Sequence, residues 1–214
     1  WEETVLQILH QNFDNILLEF TATLDYESRE IVNKYKDKVI YKYVLSQFRT
    51  DKFSKEINLV HSLYDEKERI IQALILNLYR QELATINNVN LKPVILFKAK
   101  KTITESEQNK ENFHKLIDEF SETMVEKIKK TSTVPIVQKA FQFFEAKNIS
   151  LNEIAKRIHN NFREENCLSA NNDSEAEKNQ ILLNTLEDEN NPIRAVFAVQ
   201  KLNEGWDVLN LFDI

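Results

Sequence analysis

The segment at residues 203–207 holds Gly205, the single glycine of the 214-residue chain. An average domain contains about 7% glycine, so a lone glycine suggests a requirement of the backbone, either a positive φ angle or the close approach of a ligand. Without a Cβ at Gly205, backbone N–H groups can approach a phosphate, while Asp207 can accept from a ribose hydroxyl or pair with an arginine. Glu204 can orient a basic partner, and Trp206 can stack on a base or pack in a core. The alternative is a purely structural glycine turn.

Basic and hydroxyl side chains follow the apolar run at residues 93–97. Lys98, Lys100, Lys101 and Thr102 come directly after this run. Lysines and hydroxyls at the end of a strand can bind the phosphates of a nucleic acid. For these residues taken alone, the alternative is a solvated basic edge.

Two hydroxyl side chains flank a small residue after the apolar run at residues 16–20. Thr21, Ala22 and Thr23 can hold a turn by bonding to the backbone, as threonines commonly do. They can also relay a change at a phosphate site. Their position in the chain relative to the other two segments therefore has to decide between these roles.

Continuous apolar runs, separated by residues with helical spacing, predict the elements that position these segments. The runs at 93–97 and 195–199 are typical of parallel strands buried on both faces. Asp65 is a plausible N-cap of a strong helix, and Thr104 or Ser106 can cap a long helix that reaches about residue 130. The predicted strands are residues 16–20, 39–44, 93–97, 167–169 and 195–199, and the predicted helices are residues 2–12, 26–36, 65–84, about 105–130, 134–147, 151–163 and 174–188.

This order of strands and helices predicts the α/β class, with a parallel sheet flanked by helices. Residues 105–163 are more than one crossover needs, so we expect a helical insertion there. Ligands of open α/β sheets gather at the carboxyl ends of the strands, which is where the three polar segments lie.

Composition limits the classes of protein to which the chain can belong. Its 42% hydrophobic residues suffice for a packed core, and no apolar run approaches the ~20 residues that span a bilayer. The single cysteine, Cys167, excludes an internal disulfide, and no histidine stands at metal-ligand spacing from it, so we predict no metal site. We expect a cytoplasmic protein without membrane contact. The chain begins with Trp1 and ends at Ile214 after an apolar run, so we also expect a piece of a longer protein.

Taken in order, the three segments resemble the later motifs of superfamily 2 helicases and translocases. Residues 20–24, Phe-Thr-Ala-Thr-Leu, look like motif III, and residues 92–100, Lys-Pro-Val-Ile-Leu-Phe-Lys-Ala-Lys, look like motif IV. Residues 197–212 look like motif V through Glu-Gly-Trp-Asp followed by an asparagine and a phenylalanine. This motif V and the helix ending in Tyr-Arg-Gln-Glu-Leu-Ala at 79–84 are similar to the ATPase (restriction) subunit of type III restriction enzymes. DEAD-box helicases differ, because they carry an arginine before the glycine.

The resemblance implies a division of the chain into parts of two RecA-like motor domains. Residues 1–45 would be the C-terminal end of the first domain, and residues 46–90 a connecting segment with a long helix. Residues 91–214 would be the second domain, truncated, with the helical insertion.

The resemblance also implies an ATP-dependent DNA translocase and endonuclease that uses ATP and Mg²⁺, binds DNA and works with a separate modification (methyltransferase) subunit. Coupling would fall to Thr21, Ala22 and Thr23. The nucleic acid would contact Lys98, Lys100, Thr102 and Asn203, and the nucleotide phosphates would contact Glu204, Gly205 and Asp207.

The chain departs from the family in three places: it has no phosphate loop, no Asp-Glu-x-His box for Mg²⁺ and no arginine-bearing motif VI. Phosphoryl transfer needs those parts together, so we expect no complete catalytic set and no ATP hydrolysis by the chain alone. Two alternatives stay open, another superfamily 2 DNA helicase or repair translocase and a non-enzymatic helical interaction domain. The second predicts no parallel sheet at 93–97 and 195–199.

Overall fold

A computed structural model describes residues 2–21, 24, 27–54, 64–171, 176–199 and 208–214. The chain forms two compact units, residues 1–59 and residues 60–214. Each unit is described by itself.

The described residues of the first unit form three short helices, α1 (Glu2–His10), α2 (Arg29–Tyr35) and α3 (Leu45–Thr50). The predicted helices at 2–12 and 26–36 are confirmed by α1 and α2. The predicted strands at 16–20 and 39–44 are wrong, because the described residues of this unit form no strand and the apolar side chains there are largely exposed. Strand propensity is realised only when a neighbouring strand and a buried face are available. Neither is found among the described residues of this unit.

The second unit begins with the long helix α4 (Glu66–Ile86), which the predicted N-cap Asp65 starts by accepting from Glu68 N at 2.8 Å. α4 belongs to the same compact unit as the sheet. The remaining elements are, in order, β1 (Val94–Lys98), α5 (Ile103–Asp118), α6 (Glu122–Thr131), α7 (Pro135–Ala146), α8 (Leu151–Asn161), β2 (Cys167–Ser169), α9 (Ala176–Asn184), β3 (Ala195–Ala198) and β4 (Leu211–Asp213).

Strands β1 to β4 form a parallel sheet in the order β2-β3-β1-β4. β3 pairs in regular register with β1, from Ile95 opposite Ala195 to Lys98 opposite Ala198. The predicted α/β class with a parallel sheet and a helical insertion is confirmed, since α5 to α8 lie between β1 and β2 in the chain. The architecture is consistent with a RecA-like domain, and it contradicts a purely helical one.

Both faces of the sheet are buried, which explains why its strands are continuously apolar. Alternate residues of a strand point to opposite faces. Ile95 and Phe197 therefore join the core formed with α4 to α8, whereas Leu96 and Val196 join a smaller core with Leu186 after α9. Of the phenylalanines of α7, Phe141 and Phe144 are buried and Phe143 is half-buried.

The helical insertion differs from the prediction at its first helix. Thr102, and neither Thr104 nor Ser106, is the N-cap of α5, because its hydroxyl accepts from Glu105 N at 3.1 Å. The predicted long helix is also broken at residues 119–121, where Phe120 turns into the core and α6 starts anew. In the described part of the chain, no helix is long and apolar enough to cross a membrane.

Candidate nucleic-acid interface

Three exposed lysines lie where β1 ends at the carboxyl edge of the sheet. Lys98 is the last residue of β1 and pairs with Ala198, the last residue of β3. Lys98, Lys100 and Lys101 are exposed, whereas Ala99 between them is buried and donates from its N–H to Ala198 O at 2.9 Å. The backbone bond fixes this turn against the sheet. The predicted basic contacts Lys98 and Lys100 therefore lie at the carboxyl edge of the sheet.

Thr102 lies beside these lysines with its hydroxyl engaged in the cap of α5. Glu105 completes the cap by accepting from Lys101 N at 3.1 Å. These two bonds satisfy backbone N–H groups that a helix start would otherwise leave unpaired. Thr102 thus has a structural role in addition to the nucleic-acid contact predicted for it.

Two substitutions of Thr102 separate these roles. Thr102→Ala is expected to lower the free energy of unfolding by about 1 kcal/mol through loss of the cap, whereas Thr102→Asp keeps a capping oxygen and hence the stability. If the hydroxyl also lies at a phosphate, the aspartate repels it and weakens DNA binding. Urea denaturation and a DNA titration of both variants check this prediction. Unchanged DNA affinity in Thr102→Asp would show that Thr102 caps α5 but does not contact DNA.

A polar cluster at the same edge was not predicted from the sequence. Glu107 of α5 accepts from Asn171 Nδ2 at 2.7 Å and from Ser169 Oγ at 3.2 Å, and Asn171 Nδ2 also donates to the buried Ser106 at 3.0 Å. The cluster ties α5 to the end of β2. No sequence signal marks it, because its members are more than 60 positions apart and individually ordinary.

Several predicted site residues lie outside the described residues, namely Ala22 and Thr23 of the first unit and Asn203, Glu204, Gly205 and Asp207 of the second. Thr21, in the first unit, is exposed. The described residues nearest to the glycine segment are Val199 before it and Val208 after it. Val199 follows Ala198, the last residue of β3, which pairs with Lys98. Shortly before β4, the Leu209 N–H donates to Glu187 Oε1 at 2.6 Å.

The chain does not use glycine at its described left-handed backbone positions. Asp37, Lys52, Asn88 and Asn148 adopt φ angles between 56° and 65°. Asparagine and aspartate tolerate this region better than other residues with a Cβ, though at some cost. A positive φ angle is thus a weak reason for keeping Gly205. The close approach of a ligand becomes the stronger of the two explanations.

A second polar network connects the start of β3 to α4, the helix whose residues 79–84 resemble those of type III enzymes. Arg194 is buried, and burial lowers the pKa of its guanidinium to about 10. Its Nη2 donates to Asn77 Oδ1 and to Gln81 Oε1 of α4, both at 2.9 Å. On the same helix Glu82 pairs with Arg157 of α8 at 2.7 Å. Helix α4 therefore contacts both the sheet, through Arg194, and the helical insertion, through Arg157.

The described residues offer neither a metal site nor a reactive thiol. Among them no group of three or more histidine, cysteine, aspartate or glutamate side chains could hold a metal ion. Cys167 is buried, and burial raises the pKa of its thiol to about 12. The exposed lysines after β1 are the phosphate contacts that the sequence predicts in this part of the chain.

The comparison with known proteins gives one informative relative. The chain is 37% identical over 241 aligned residues to the "Probable type III restriction-modification enzyme HindVIP Res subunit" of Haemophilus influenzae, and the alignment covers the whole chain. The chain spans 46% of the length of that protein. No protein-family model and no solved structure matches the chain. Identity of this extent relates the chain to a Res subunit.

Proposed function

From this relationship to a Res subunit, we propose that the chain is part of the ATP-dependent DNA translocase of a type III restriction-modification endonuclease. The observation on which the proposal rests is the 37% identity along the whole chain. The parallel sheet with exposed lysines at its carboxyl edge supports it, because ligands of such sheets bind at that edge. The chain would couple ATP hydrolysis to movement on DNA.

In this proposal the second unit binds the DNA backbone. Lys98 and Lys100 would contact phosphates, and Asn203 would contact the nucleic acid as well. Such contacts position a protein on nucleic acid without reading its sequence. The net charge of −6 does not oppose the proposal, because phosphate contacts depend on a local patch of lysines.

ATP and Mg²⁺ belong to the proposed enzyme as a whole. The described residues do not fit the metal, since no acidic or histidine cluster among them could hold it. We therefore assign no step of phosphoryl transfer to them. Thr21, Ala22 and Thr23 would transmit the state of the nucleotide, while Glu204, Gly205 and Asp207 would contact its phosphates. A modification subunit would be the protein partner, because the relative is named as a restriction-modification enzyme.

The DNA contact can be tested on the purified chain. The double variant Lys98→Ala with Lys100→Ala is expected to bind duplex DNA more weakly. Each lost phosphate contact lowers the slope of log K against log salt by about 0.9, so the two lysines together change it by about 1.8. Fluorescence anisotropy with a labelled duplex at several salt concentrations measures this slope.

The matched control is Lys139→Ala with Lys147→Ala. These lysines, in and just after α7, are also exposed, and their removal changes the net charge equally. We expect the control to keep the wild-type slope. Equal loss of slope in both double variants would show an effect of net charge alone. A wild-type chain that fails to bind DNA even at low salt would refute the proposed contact.

A further inference from the structure

β4 is the strand that follows the glycine segment in the chain. β4 is three residues long and lies at the edge of the sheet beside β1. Its register with β1 shifts between Val94 and Ile95, so the ladder is irregular. A short edge strand of this kind needs side-chain contacts to stay in place.

An ion pair between α4 and β4 supplies such a contact. Arg80 Nη1 lies 2.6 Å from both carboxylate oxygens of Asp213, and the two side chains are 28% and 13% exposed. Phe212 lies beside the guanidinium, with 5.9 Å between Arg80 Cζ and the ring centroid. Burial raises the pKa of Asp213, and the charge of Arg80 opposes that shift. Removing one partner of a largely desolvated pair leaves the other charge uncompensated, which makes such a contact sensitive to substitution.

The same helix also holds β3. Asn77, one turn before Arg80, accepts from Arg194, the residue that precedes β3. Asn77 Nδ2 donates as well to Pro93 O, just before β1. Helix α4 therefore fixes both strands between which residues 199–210 run, β3 through Arg194 and β4 through Asp213.

We propose that Arg80 and Asp213 are positioning residues that hold β4 on α4 and thereby set the C-terminal end of the segment containing residues 203–207. The inference rests on the proposed function, in which that segment contacts DNA and nucleotide. Neither residue touches the ligand in this proposal. Both act on β4, the strand that follows the segment in the chain.

The test compares two isosteric variants that each remove one ion pair from α4. Asp213→Asn breaks the pair with β4, whereas Glu82→Gln breaks the pair with Arg157, two residues further along the helix and away from the strands. Hydrogen–deuterium exchange of peptides covering residues 195–214 reports on β4, and titration with duplex DNA reports on the segment. We expect faster exchange and an affinity about 2- to 30-fold lower for Asp213→Asn, the range known for residues that act through others.

Glu82→Gln is expected to leave both readouts at the wild-type level, and Asp213→Glu, which keeps a carboxylate near Arg80, to recover part of the lost affinity. Unchanged exchange in Asp213→Asn, or faster exchange with wild-type affinity, overturns the positioning role while the proposed function stands. Equal effects of Asp213→Asn and Glu82→Gln overturn it too, because both would then reflect loss of stability. A wild-type chain that does not bind DNA overturns the proposed function and the positioning role with it.

Discussion

Replacing Phe197 with alanine is expected to lower the free energy of unfolding of the unit formed by residues 60–214 by about 3–5 kcal/mol. Phe197 is 1% exposed, in the strand between β2 and β1. Its ring stacks on that of Phe97 at a centroid distance of 4.8 Å, and the ring of Phe113 meets it edge-on at 5.5 Å. The substitution leaves a cavity at the contact between the sheet and the helical insertion, and the packed neighbours can fill it only in part.

Urea denaturation monitored by circular dichroism measures this loss. Phe197→Leu is the control, because it keeps an apolar side chain and is expected to cost less than half as much. A loss below about 1 kcal/mol for Phe197→Ala would contradict the close packing of the three rings, since truncations of buried phenylalanine usually cost several times that.

Replacing Gly205 with valine is expected to lower DNA-stimulated ATP hydrolysis by the proposed enzyme about 100-fold or more, while the fold is retained. The expectation follows from the proposed contact of the backbone at Gly205 with phosphate, since loss of one preorganised donor to a reacting group costs about 10²- to 10³-fold. Measurement of ATPase rates with and without duplex DNA, beside a thermal melt, checks it. Unchanged DNA-dependent hydrolysis would contradict the proposed phosphate contact at Gly205.

A second variant distinguishes the two reasons for a glycine at this position. Gly205→Asn introduces the residue that this chain itself uses at the left-handed positions 88 and 148. If only the φ angle mattered, Gly205→Asn would retain most of the activity. The close approach of a ligand predicts that it fails like Gly205→Val, because any Cβ occupies the space of the ligand.

The elements of the second unit followed from local patterns in the sequence. The unbroken apolar runs at 93–97 and 195–199 predicted strands buried on both faces, and the structure places them side by side as β1 and β3. Periodic apolar residues after Asp65 predicted α4. The burial of apolar surface does not depend on a specific partner atom. The spacing of apolar residues along the chain is therefore enough to predict which face of a strand or helix is buried.

Patterns of the same kind gave wrong predictions where an element needs a specific hydrogen-bond partner. Residues 16–20 and 39–44 have the composition of strands but pair with nothing in the described part of the first unit. Thr104 or Ser106 was the predicted cap of the helix after β1, whereas Thr102 caps α5 in the structure. Strand pairing and capping depend on a hydrogen-bond partner in the right place, which composition does not specify.

For the candidate site, the sequence by itself determined the lysines after β1, the lone glycine after β3 and the order of the three segments that resembles a DNA motor. Only the tertiary structure decided which polar residues hold those segments. Arg80 and Asp213 are 133 positions apart, and Arg194 and Asn77 are 117 apart. Hydrogen bonds and ion pairs are directional contacts between single atoms, so a pair becomes recognisable only when the fold has brought both atoms within about 3 Å.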